Sequence, residues 1–234
     1  MSTDSTAPDT IVLVHGLWMT PRCWENWIPH YEKQGYRVLA PAYPGFEVDV
    51  EALRADPSRI ATLTVPETVA HLEGVIAGVD KPPIIIGHSF GGTLTQLLLD
   101  RGHGAAGVAI NSAPTEGVRV TPLSQVRSLF PILDNPANRH KPVGFTPEQF
   151  HYTFCNTLSE QESAKVYERY HIPAPAGSGP TACLPTLHPV ARRPGSTIPT
   201  ELGPRCCSSL AEPTTSCRPR SISRTPSTTP NPVR

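Results

Sequence analysis

The hydrophobic positions of the chain fall into short unbroken runs separated by longer segments with a helical period. Ile11-Val12-Leu13-Val14, Arg37-Val38-Leu39-Ala40, Ile84-Ile85-Ile86 and Gly107-Val108-Ala109-Ile110 read as strands, most of them buried on both faces. Between the first two runs, Trp24, Trp27, Ile28 and Tyr31 recur at i, i+3, i+4 and i+7. That spacing predicts one helix, with Thr20 as its cap, Pro21 at its first position and Gly35 past its end. Val69, Leu72, Ile76 and Val79 predict a second helix opened by Thr64 and Pro66, and Leu94, Leu97 and Leu98 a third over 93–100. Residues 46–64, punctuated by acidic residues and prolines, read as an irregular loop. Strands alternating with helices in this way predict an α/β fold, a mostly parallel sheet with helices on both faces.

The pattern changes twice after the fourth strand. Over residues 118–173, Pro122, Pro131, Pro136 and Pro142 interrupt short helical pieces, and Phe130, Phe145, Phe150, Tyr152, Phe154, Tyr167 and Tyr170 supply aromatic surface. Ser159 to Tyr170 reads as a helix charged on one side. The region is either a helical cap, or lid, over the core of residues 10–117 or a set of ordinary packing helices. From residue 174 no period survives. Residues 174–234 contain 12 Pro, 9 Thr, 8 Ser and 7 Arg, with no Lys, Asp, Phe, Tyr or Trp. Such a tail buries too little apolar area to offset its ordering entropy and is expected to be disordered, as is the lead of residues 1–9.

Charge and cysteine content sharpen that boundary. The 234 residues carry no net charge, yet residues 1–173 sum to −5 and the tail to +5. The overall balance points to no nucleic-acid or membrane partner, and no apolar run approaches a membrane span. Met1-Ser2-Thr3-Asp4-Ser5-Thr6 has no basic or apolar signal region, so a cytoplasmic location is the expectation. Cys23 and Cys155 lie in the body and read as small buried hydrophobes. Cys183, Cys206, Cys207 and Cys217 have no metal-binding spacing, and neither a metal nor an organic cofactor is expected.

The candidate chemistry sits where the third run meets the third helix. Gly87-His88-Ser89-Phe90-Gly91 follows Ile84-Ile85-Ile86 directly and opens the helical pattern. A bare Gly-x-Ser-x-Gly arises by chance in about a tenth of chains of this length, given ordinary glycine usage. Its position between strand and helix is what makes it informative. A nucleophile must stand at a sharp turn, with Gly87 and Gly91 bare where the backbone passes closest and the helix dipole directed at the developing oxyanion. The bland alternative is a glycine-rich turn in which Ser89 is only a helix cap.

Together with Val14-His15-Gly16 after the first strand, Pro41 and Pro44-Gly45 after the second, and Asn111-Ser112-Ala113-Pro114 after the fourth, this elbow resembles the α/β-hydrolase superfamily. The likeness covers about residues 10–173 and is nearest to small cytoplasmic esterase- or lipase-like members with a helical cap. It implies Ser89 as nucleophile, and the backbone N–H groups of Leu17 and Phe90 as oxyanion donors. Trp18 would line the pocket, and His15, Gly16, Gly87, His88 and Gly91 would build the turns around it. A small acyl compound such as an ester is the implied substrate. A serine at the elbow argues against relatives that use Asp there.

The resemblance also exposes a gap. The family orders its triad as Ser, then Asp or Glu, then His, which puts the last two beyond about residue 174. The tail offers only His188, Glu201 and Glu212, in the wrong order and at the end of no credible strand. Without a base the serine hydroxyl stays protonated and is a poor nucleophile. One allowed set of codons for Arg205 to Cys217, read in an overlapping frame, yields LLFIAGGADHIM, a strand, a glycine turn and an Asp. A frameshift near Pro175 that replaced the last two strands, the acid and the base accounts for this. A genuine basic tail on a diverged domain is the competing reading, under which the base would be sought among His140, His151 and His171. Under the frameshift, loss of the last strands would leave the sheet incomplete at its C-terminal edge and the chain poorly soluble. A catalytically dead relative that binds a small apolar ligand is the alternative to an impaired hydrolase.

Overall fold

The computed structural model describes residues 7–113, Leu123 and residues 141–174. The expected lead before residue 7, the first part of the cap and the whole tail from 175 lie outside the described residues.

Four strands, β1 (Thr10–Val14), β2 (Arg37–Leu39), β3 (Ile84–His88) and β4 (Ala106–Ile110), form one parallel sheet in the order β2-β1-β3-β4. The register sets Val12 against Leu39 on one side and Ile85 on the other, and Gly87 against Ala109. Alternate residues of β1 serve opposite faces. Ile11 and Leu13 pack with Ile86, Trp24, Trp27, Ile28 and Tyr31. Val12 and Val14 pack with Ile85, Leu72, Leu94 and Leu98. The predicted fold class is therefore the observed one, a parallel sheet covered by helices on both faces.

The helical segment after β1 is broken where one helix was expected. Pro21–Trp24 is a single 3-10 turn capped by Thr20, and α1 (Trp27–Glu32) begins after it. Pro29 has no N–H to donate to the preceding turn, so the helix restarts with proline in its first turn. The aromatic face survives the break, with Trp24 and Trp27 ring centroids 5.2 Å apart.

The expected loop over 46–64 is corrected more substantially. It contains α2 (Val50–Ala55) and a 3-10 turn, Pro57–Ile60, which bury Val50, Leu53 and Ile60. The Asp56-Pro57 step interrupts the helical period, and this hid the apolar face from the sequence. The second predicted helix is α3 (Val65–Ala77), closed at its start by a reciprocal capping box between Thr64 and Glu67. The third, α4 (Phe90–Asp100), starts immediately after Ser89 rather than at Thr93.

In the segment 141–174, α5 (Pro147–Phe154) and α6 (Glu160–Tyr170) each carry a capping box, and α6 with its Ser159 cap covers the helix expected from Ser159 to Tyr170. An antiparallel bridge between Val143 and Ala174 ties the ends of the segment together. Its aromatic residues Phe145 and Phe150 are buried in the main core cluster. Arg54 of α2 holds α6 through an ion pair with Glu168 and bonds to the Tyr167 and Glu168 carbonyls. Arg169 and Tyr170 reach across to Glu25.

Candidate active site

Ser89 stands between β3 and α4 at φ 54° and ψ −120°, a conformation an L-residue adopts only when its surroundings impose it. The imposition is visible. Its N–H donates to the Ile110 carbonyl, and its own carbonyl accepts from Gly92, Thr93 and Ala113. The two elbow glycines are obligatory by geometry. A Cβ on Gly87 would stand 2.1 Å from the Gly91 carbonyl oxygen, and one on Gly91 would stand 2.2 Å from that of Val14. Gly92, which the motif does not include, is also constrained, because a Cβ there would come within 2.8 Å of the Ser112 Cβ. Phe90 is the first residue of α4, so its N–H has no acceptor within the helix.

The loop after β1 closes on the same point. A Cβ on Gly16 would lie 3.3 Å from the Ser89 Cβ, so the bare glycine lets the two turns meet. His15 is fully buried, and burial pulls its ring down to about 4. The neutral ring donates from Nδ1 to the Gly16 carbonyl at 2.8 Å. Tyr43, also buried, donates its hydroxyl to the His15 carbonyl and stacks on the imidazole with centroids 3.8 Å apart. Tyr43 had no signal in the sequence, because its partner lies 28 positions away. Burial lowers the pKa of His88 as well.

Trp18, expected to line the pocket, lies in the loop after β1 and packs against the segment 141–174. It is only 5 % exposed, and its indole N–H donates to the Val143 carbonyl at 3.1 Å. Its carbonyl accepts from Ile172 at 3.0 Å, and its ring packs against Phe145 and Phe154. Trp18 thus joins the β1 loop to the segment 141–174.

No histidine ring among the described residues hydrogen-bonds to Ser89. Of the three histidines considered as a base, His140 lies outside the described residues. The Nδ1 of His151 is buried with no partner among them. His171 is 2 % exposed, stacked on Tyr167, and its Nε2 accepts from the Phe145 N–H at 3.0 Å. Burial, helped by the nearby Arg54 charge, pulls its ring down to about 4. His171 is therefore a neutral strut of the cap segment with its basic nitrogen already occupied. The triad candidates of the tail are outside the described residues, as is the point near Pro175 where a frameshift is expected. Among the described residues no group of His, Cys, Asp and Glu could hold a metal ion, and no helix is long and apolar enough to cross a membrane.

Residues 11–207 match the sequence profile of the alpha/beta hydrolase family, and the chain belongs to that family. Among solved structures it is similar to an extracellular alpha/beta-hydrolase from a Paenibacillus species, described as sharing structural and functional homology with tobacco salicylic acid binding protein 2. That similarity is 26% in sequence identity with a TM-score of 0.58, over 73% of this chain and 68% of that one. Two further structures share the fold at lower identity. Polyneuridine aldehyde esterase matches at 19% with a TM-score of 0.50, over 73% of this chain and 70% of its own. The pyrethroid hydrolase PytH matches at 16% with a TM-score of 0.51, over 72% and 68%. No curated protein matches the chain. The family makes the protein a hydrolase.

Proposed function

We propose that the chain is a serine hydrolase acting on an ester or similar acyl compound, with Ser89 as nucleophile and an activity impaired for want of a base. The observation that carries this reading is the backbone of Ser89, held at φ 54° by bonds from both sides and reached by the bare Gly16. A serine serving only as a helix cap needs no such conformation, and Ser89 makes no side-chain cap bond. The neighbour from Paenibacillus supports a hydrolytic function, and the family supports a small substrate.

In the reaction, Ser89 Oγ would add to the acyl carbonyl and push its electron pair onto the oxygen. The Leu17 and Phe90 N–H groups would hold that oxyanion, aided by the N-terminus of α4. The tetrahedral adduct would collapse with loss of the alcohol to an acyl-serine, which water then cleaves. Each half needs a proton moved from the attacking oxygen to the leaving one, the task of a histidine. No described residue performs it, which favours a second reading: a catalytically dead member that binds a small apolar ligand. Hydrolysis of p-nitrophenyl acetate by the intact chain and by Ser89→Ala separates the two. The hydrolase reading predicts slow turnover that is lost in the variant; equal rates in both contradict it.

A further inference from the structure

The β1 loop is gripped at three carbonyls, those of His15, Gly16 and Trp18, and two of the grips belong to the protein body. Tyr43 holds the His15 carbonyl, and the His15 ring holds the Gly16 carbonyl. The third grip comes from the cap segment. Ile172 donates to the Trp18 carbonyl, and the Trp18 indole donates to Val143. Val143 and Ala174 are themselves paired by two backbone bonds. Both chains of that bridge therefore close on the one residue that follows Leu17.

The peptide that matters is the one joining Gly16 to Leu17. Its carbonyl and its N–H point in opposite directions, so fixing the carbonyl aims the N–H. Glycine opposes a rotation of that peptide less than any other residue would. The Gly16–Leu17 unit is thus the soft point of the loop, clamped upstream by His15 and Tyr43 and downstream by the cap segment through Trp18. We propose that Trp18 is a positioning residue that couples docking of the segment 141–174 to the aim of the Leu17 N–H, so that the oxyanion site is formed only while that segment is docked. The inference rests on the reading of Leu17 as an oxyanion donor.

Two variants loosen the joint from opposite sides. Trp18→Phe keeps an aromatic ring in the Phe145–Phe154 cluster and removes only the indole donor, leaving the Val143 carbonyl with the Ala174 N–H alone. Arg54→Met touches neither Trp18 nor Leu17. It removes the bond to the His171 carbonyl, one residue before Ile172, and the contacts to Glu168. NMR relaxation dispersion on the full chain gives the open population separately from the Leu17 amide and the Ile172 amide. Ile85 and Ile86 in the central strand report global opening. The coupling predicts that each variant raises the open population at Ile172 and at Leu17 together, by about tenfold, the scale of losing one buried hydrogen bond. Ile85 and Ile86 stay unchanged, and the rate of Ser89 labelling by a fluorophosphonate falls in step with the Leu17 change.

A rise at Ile172 with Leu17 unmoved overturns the proposal. So does the absence of change at Ile172 in both variants, and so does a rise shared equally by Ile85 and Ile86. If Leu17 and Ile172 move together but Ser89 never takes the label in any form, the coupling stands and the serine-hydrolase reading fails. If Ser89 labels and its rate ignores both variants, the coupling fails and the hydrolase reading stands.

Discussion

At the scale of single residues, the elbow is decided by what is missing from Gly87, Gly91 and Gly16. Each lacks the one carbon that would collide with a neighbouring backbone or with Ser89. Gly91→Ala tests this without touching the nucleophile. Its new methyl group would sit 2.2 Å from the Val14 carbonyl oxygen, in backbone that β1 holds in register. The expected cost is about 3 kcal/mol, read as a lowered urea midpoint at constant slope. A loss below about 0.5 kcal/mol, the level of an ordinary surface change, would show the turn is looser than described. The strand–turn–helix around Ser89 was legible in the sequence, because the elbow is a local motif whose spacing carries its own geometry. The contacts of Tyr43 and Trp18 were not. Their partners lie 28 and 125 positions away, and no local period records a contact of that range.

At the scale of elements, the sheet and the capped helices were readable, while α2 was not, since Asp56-Pro57 split its apolar face from Ile60. Two buried histidines, one in the loop after β1 and one in the segment 141–174, add a dependence on pH. His15 and His171 are both held neutral, with folded values of about 4 against 6.5 for a free imidazole. Above pH 6.5 neither ring binds a proton in either state, so neither affects stability. Between 6.5 and 4 the unfolded chain takes up protons that the folded chain refuses, so stability falls as pH falls and levels off below 4. At pH 5 this amounts to roughly 2 kcal/mol for each ring. The carboxylates with shifted values, Glu25 and Glu73 among them, all lie below their usual range and contribute only at lower pH. The melting temperature should therefore drop between pH 7 and pH 5, and a flat profile over that window would contradict the burial of the two rings.

At the scale of the whole molecule, β4 is the exposed flank. Among the described residues it pairs only with β3, its residues 106–109 are exposed, and Val108 is 48 % exposed. An open strand with an apolar side chain is a template for pairing with another chain. Val108→Lys should raise the fraction that stays in solution at a given concentration, measured by light scattering after concentration. An unchanged fraction would locate any aggregation elsewhere. The family match extends to residue 207, past the point where the helical and strand periods stop, and the nucleotide sequence across codons 165–234, read in all three frames, tests the proposed frameshift. An overlapping frame that continues into two strands, an Asp and a late His would mark the chain as a damaged copy.

The central claim is that Ser89 is a built nucleophile in a hydrolase fold. The most direct measurement is to expose the intact chain to a fluorophosphonate and map the adduct by peptide mass spectrometry, with Ser89→Ala in parallel. The account predicts a single adduct on Ser89, formed slowly because no described histidine activates the hydroxyl, and absent from the variant. An adduct on another residue, or equal labelling of the variant, would contradict it.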